Sequence, residues 1–129
     1  MEDNVNHPAH YAAKFKTRQI ECIDITRHMP FCAGNAFKYV WRAGDKGGRE
    51  KAIEDLNKAI FYLREADEAT HGAPNPWYPN PYPHAKLIFD VLTPEDTPRY
   101  NALRAIAFGA VGIALEEIQK LKEEIENAD

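Results

Sequence analysis

The sequence contains no serine and only two cysteines, Cys22 and Cys32, in 129 residues. Without serine there is no serine nucleophile, and nothing resembles a nucleophile elbow. Two cysteines with no CxxC pair make neither a disulfide framework nor the paired ligands that structural zinc usually takes, and they suit a reducing cytosol. Apolar runs are short, far below the ~18 consecutive residues of a membrane span. The opening Met1-Glu2-Asp3-Asn4 has no basic n-region and no apolar h-region, so the expectation is a cytoplasmic protein with no cleaved signal and no membrane partner. Positive charge is scarce as well. Sixteen Lys plus Arg face twenty Asp plus Glu, a net charge of -4, which argues against general nucleic-acid binding because that rests on neutralising many phosphates.

What is present is the material of one domain spanning residues 1–129: 44% of the residues are hydrophobic and 28% charged, and compact domains usually run to ~100–150 residues. The patterning predicts an all-α fold of four or five helices with an extended N-terminal arm and a Pro-rich connector. Residues 1–16 are polar, contain Pro8 and two histidines, and have no periodicity; they form the arm. Spacing at Ile20, Ile23 and Arg27 favours a first helix from about Thr17 to before Pro30, against a short strand. Pro30 suits the first turn of a second helix that runs to Ala43 and stops at Gly44. A third helix from about Arg49 to Ala69 carries an apolar stripe at Ile53, Leu56, Ile60 and Leu63, with His71-Gly72 closing it. Residues 17–70 are thus the helical core.

Residues 73–98 read as the connector. Ala73 to Pro83 holds five of the nine prolines in eleven residues and excludes helix interior and central strand. His84 to Leu92 fits a short helix or a strand. Thr97 has the character of a cap with Pro98 at the first helical position, opening one last helix over 98–128. Its start, Ala105 to Leu115, is small and apolar on nearly all sides, which fits burial or pairing with a second copy; for a short chain this predicts a homodimer or higher homo-oligomer.

Chemistry concentrates on the second helix and the loop after it. Lys38 to Lys58 carries six basic and four acidic residues, whereas Ile113 to Asp129 carries two and six. Lys38 and Arg42, four apart, share a face with Asn35. The loop Gly44-Asp45-Lys46-Gly47-Gly48 leads into a helix N-terminus, where free backbone N–H groups and the helix dipole favour an anion. Arg42, Lys46 and Arg49 would add charge-assisted hydrogen bonds to it. The loop is neither a Walker A sequence nor GxGxxG, and an ordinary helix–helix turn with solvated charges accounts for the same residues. His7 and His10 are candidates to hydrogen-bond a ligand or act as general acid or base, or else to cap polar ends of the core. Phe37, Tyr39 and Trp41 occupy different faces of one helix, so at least one of them faces a pocket or partner. A zinc set from Cys22, His28 and Cys32 lacks close ligand pairs, and no metal ligands are assigned. Glu21-x-x-Asp24 and Glu65-x-x-Glu68 resemble carboxylate pairs of all-helical nucleotide pyrophosphohydrolases, without the second pair at the usual distance.

Four ordered blocks resemble a bacteriophage family, domain of unknown function 3310, labelled nucleotide kinase-like or SaV-like. They are Val5-Asn6-His7-Pro8-Ala9-His10-Tyr11, Ile20-Glu21-Cys22-Ile23-Asp24, Phe31 to Gly44, and Lys46-Gly47-Gly48 with Glu54-Asp55-Leu56-Asn57-Lys58-Ala59. The resemblance covers about the first 65 residues. One group in the family is a nucleotide kinase that phosphorylates deoxynucleoside monophosphates without a P-loop, so the resemblance implies a nucleotide site. The expected pocket lies between the arm, the second helix and the start of the third. Lys38, Arg42, Lys46, Arg49 and Lys58 would hold phosphate, Asn35 and Tyr11 would contact sugar or base, and His7, His10 and Asp55 would do the chemistry. A nucleoside triphosphate would be the phosphate donor, with magnesium as a candidate cofactor. Three rivals stand beside a kinase: a protein that sequesters a nucleotide signal without converting it, a magnesium-dependent nucleoside triphosphate pyrophosphohydrolase using Glu54 and Asp55, and an interaction module that binds a host protein through the aromatic proline segment.

Overall fold

A computed structural model describes residues 20–69 and 82–128. The expected arm, with His7, His10 and Tyr11, and most of the proline segment lie outside these residues. Six helices occur among the described residues: α1 (Cys22–Thr26), α2 (Phe31–Arg42), α3 (Gly48–Ala69), α4 (Pro83–Phe89), α5 (Pro98–Phe108) and α6 (Val111–Asn127). The all-α expectation holds, with more helices than the four or five anticipated. None of them is long and apolar enough to cross a membrane.

Two expected helices are broken differently. The first shrinks to the five residues of α1. The Glu21-x-x-Asp24 pair is its cap: the Asp24 carboxylate accepts the Glu21 backbone N–H at 2.8 Å, closing a capping box. The single helix anticipated over 98–128 is two, because Gly109 takes the left-handed conformation (φ 79°) that ends α5 and lets the chain fold back. The connector anticipated over 73–98 also contains a helix, α4, resolving the helix-or-strand choice there. Thr97 caps α5 as expected, its Oγ1 accepting from the Tyr100 N–H at 3.1 Å, with Pro98 in the first turn. Pro30 is the N-cap of α2, one position earlier than anticipated.

The core is one contiguous cluster fed by every helix. On α2 the buried residues Ala33, Ala36, Phe37, Val40 and Trp41 recur at steps of three and four, as an amphipathic helix requires. Helix α5 buries Tyr100, Ala102, Leu103, Ala105, Ile106 and Ala107 on nearly all sides and is the central helix, against which α2, α4 and α6 pack. The buried stripe of α3 is rotated from its expected position. Ala52, Leu56, Ala59 and Leu63 face the core, while Ile53 and Ile60 are half-buried at its edge. Alanines at two of four stripe positions let α2 come close, a packing choice that hydrophobicity alone ranks the wrong way.

Polar contacts tie the helices at their ends. Arg99 on α5 donates to the Val40 carbonyl near the end of α2, where a cation suits both the unsatisfied carbonyls and the helix dipole. Burial lowers its pKa, against the raising effect of Asp45, Glu124 and Glu95. Helix α6 runs antiparallel along α3: Lys122 donates to Asn57 Oδ1 at 2.9 Å and Arg49 donates to the Ala128 carbonyl. The rings of His28 and His84, 5.5 Å apart, join the α1–α2 turn to α4.

Candidate functional site

Helices α2 and α3 form a hairpin whose outer face differs from the rest of the surface. The turn between them needs positive φ at Gly47, and a Cβ there would lie 2.5 Å from the Lys51 Cβ. Past this turn α3 packs back along α2, and Arg42 comes within reach of Asp55, thirteen residues on. The two meet at 3.3 Å with the Asp55 side chain 3% exposed, and Lys51 reaches the same oxygen at 3.4 Å. A carboxylate this deep needs such partners, because an unpaired buried charge is strongly destabilising. Lys51 also pairs with Glu54 at 2.8 Å, and Lys58 approaches Glu54 at 3.6 Å. The hydrogen bond from Lys51 lowers the pKa of Glu54, and the same bond raises that of Lys51.

Above this network lies an aromatic cluster. Tyr39 on α2 and Tyr62 on α3 stack with ring centroids 6.0 Å apart and planes 8° from parallel. Phe61 meets Tyr62 edge-on at 5.2 Å, and Phe31 meets it edge-on at 5.9 Å. Three cations surround the Tyr39 ring: Lys38 at 4.6 Å, Arg42 at 4.8 Å and Lys58 at 5.5 Å from its centroid. Each is within cation–π range. Beside the stacked pair an open groove of about 670 Å³ runs along α3, lined by Tyr39, Glu50, Ile53, Glu54, Asn57, Lys58, Phe61 and Tyr62.

The residues expected at a site divide accordingly. Lys38, Arg42 and Lys58 converge on Tyr39. Asp55 is brought to them as the buried partner of Arg42 and Lys51. Lys46 is exposed on the loop. Arg49 is engaged elsewhere, on the carbonyl of Ala128 at the end of α6, and the amide of Asn35 donates back to the Phe31 carbonyl at 2.8 Å. His7, His10 and Tyr11 lie outside the described residues. Of Phe37, Tyr39 and Trp41 on α2, Phe37 and Trp41 are fully buried and Tyr39 is the one that faces the groove, as their angular spread requires. Tyr62, Phe61 and Asn57 were missed as site residues. The signal for Tyr62 was its position four residues after Lys58, which places both on one side of α3.

Cys22 is buried, Cys32 half-buried, and His28 lies against His84. Among the described residues no group of three His, Cys, Asp or Glu is placed to hold a metal ion.

Residues 5–64 match the family described as protein of unknown function (DUF3310). The chain is also similar to the Gene 1.7 protein of Enterobacteria phage T3, 33% identical over 72 residues, which cover 53% of this chain and 44% of that protein. The aligned part therefore spans less than half of the relative's length. No solved structure matches the chain. The groove, its cations and the turn that assembles them all fall inside the segment, residues 5–64, that is similar to the DUF3310 family.

Proposed function

We propose that this protein binds a nucleotide on the outer face of the α2–α3 hairpin. The observation that carries the reading is the stacked Tyr39–Tyr62 pair ringed by Lys38, Arg42 and Lys58. A nucleotide joins a flat π-surface to an anion, and this face offers both complements within one side-chain length. The base stacks at Phe61 and Tyr62 in the groove, and the phosphate is held by Lys38 and Lys58, with Arg42 oriented by Asp55. The activity that the resemblance to nucleotide kinase-like proteins implies is phosphoryl transfer to a (deoxy)nucleoside monophosphate from a nucleoside triphosphate. Such a reaction asks the protein for positioning and cationic stabilisation more than for covalent chemistry, which suits a site rich in lysine and arginine. His7 and His10 are the candidates to act on the reacting phosphate. The similarity to a phage protein makes the host cytoplasm the proposed location, and a homo-oligomer the proposed state.

The second reading is sequestration of a nucleotide without turnover. The burial of Asp55 under Arg42 and Lys51 favours it, because a carboxylate so engaged positions its neighbours rather than accepting a substrate proton. The pyrophosphohydrolase reading asks Glu54 and Asp55 to share a metal ion, yet both already meet cations.

Thermal shift with mono-, di- and triphosphates, with magnesium and with chelator, followed by chromatography of the incubated nucleotide, separates these readings. Stabilisation should grow with ligand concentration. Phe61 is 57% exposed, so Phe61→Ala should leave the fold intact while weakening binding by about 1–3 kcal/mol, the worth of one stacked base. Lys58→Ala should weaken it as well. A converted nucleotide supports the kinase, an intact one the sequestering protein, and conversion abolished by chelator the hydrolase. Full affinity in both variants would remove the site from this face.

A further inference from the structure

The aromatic cluster has more stacking surface than one base uses. Phe31 is not among the residues that line the groove, yet it is 74% exposed, the most exposed large hydrophobic side chain among the described residues. Its ring stands edge-on to Tyr62 at 5.9 Å and 79°, much as Phe61 stands edge-on to the same ring at 5.2 Å and 80°. Tyr62 is therefore flanked by two exposed phenyl rings whose centroids lie no more than about 11 Å apart. Two exposed phenyl rings sharing one tyrosine offer two positions at which a base can stack.

The charge on this face is modest. Lys38, Arg42, Lys51 and Lys58 face Glu50, Glu54 and Asp55, four cations against three carboxylates. That surplus of one is the charge that a phosphodiester linkage, with its single negative charge, complements. The cations gather at Tyr39, whose ring centroid lies 6.0 Å from that of Tyr62, the tyrosine that both phenyl rings share.

Building on the nucleotide reading, we propose that the preferred ligand carries two nucleobases joined by phosphodiester linkage, one base stacked at Phe61 and the other at Phe31, with the linkage against Lys38 and Lys58. Both cyclic and linear dinucleotides have this chemistry.

Calorimetric titration of the full chain with a nucleoside monophosphate, the linear dinucleotide of the same base and the corresponding cyclic dinucleotide tests the assignment. At least one two-base ligand should bind ten times more tightly than the monophosphate, and the tighter of the two identifies the source. Phe31→Ala should bring that ligand to the affinity of the monophosphate and leave monophosphate binding unchanged; Phe31→Trp should restore the preference. Equal affinity for one-base and two-base ligands overturns this inference while leaving the nucleotide site standing, as does an equal loss of both in Phe31→Ala. Absence of binding by all three ligands overturns the inference and the nucleotide reading together.

Discussion

Two helical hairpins of this molecule turn on glycines at positive φ: α2 passes into α3 through Gly44, Gly47 and Gly48, and α5 into α6 through Gly109. Their inner faces do the same work. Each buries alanines: Ala33, Ala36, Ala52 and Ala59 in the first, and Ala102, Ala105, Ala107 and Ala114 in the second. Their outer faces diverge. The first hairpin gathers stacked tyrosines, exposed phenylalanines and cations. The second presents a mostly acidic α6, with Lys86 and Arg104 placed over the Phe108 ring at 4.8 and 4.5 Å. Close packing of small residues builds a hairpin without specifying chemistry; the groups turned to solvent distinguish the two.

The difference is open to tests that strike each hairpin separately. The largest effect is expected from Leu103→Ala, which empties a fully buried position in α5 and should cost about 2–5 kcal/mol in chemical denaturation. Nucleotide affinity of the folded fraction should stay unchanged, and a large affinity loss would join the two hairpins into one functional unit. Next comes Asp55→Ala, expected to cost about 1–3 kcal/mol because Arg42 and Lys51, themselves partly exposed, lose their shared buried partner. This variant should also weaken nucleotide binding, since Arg42 is no longer held beside Tyr39. Wild-type affinity in a folded Asp55→Ala protein would reduce Asp55 to a stability residue.

Thr97→Ala removes the α5 cap and should cost about 1 kcal/mol, with no change in binding. The smallest effect is in the alkaline range. Burial raises the pKa of Tyr100 and of Tyr82. An acid whose folded pKa exceeds its unfolded value keeps its proton longer when folded, so its stabilisation is complete below the unfolded value, near 10, and is lost as pH rises through the folded value. The melting temperature should therefore fall above about pH 10, and less steeply in Tyr100→Phe; identical slopes would assign the decline to other groups.

Much of this was legible beforehand where the cause is local. Thr97 before Pro98 announced the start of α5, and the periodicity of α2 marked its core face. Lys38 and Arg42 stood out together because four residues make one helical turn. Local signals misled where two chemistries share a pattern. Glu21 and Asp24 have the spacing of metal-binding carboxylates and are instead a capping box. The apolar stretch across Gly109 reads as one helix to any periodicity argument, since a glycine inside a helix is tolerated until the surrounding packing makes its left-handed conformation the better choice.

By itself the sequence determined the helical class, the position of α3, the cap of α5 and the concentration of cations between Lys38 and Lys58, all consequences of spacing along a chain with a helical repeat. Tertiary structure alone decided which cations meet. It sent Arg49 to the end of α6, brought Arg42 of α2 to the buried Asp55 of α3, and stacked Tyr39 on Tyr62 from another helix. The reason is physical: each of these contacts depends on the angle and closeness at which two helices cross, set by buried alanines and a glycine turn acting together.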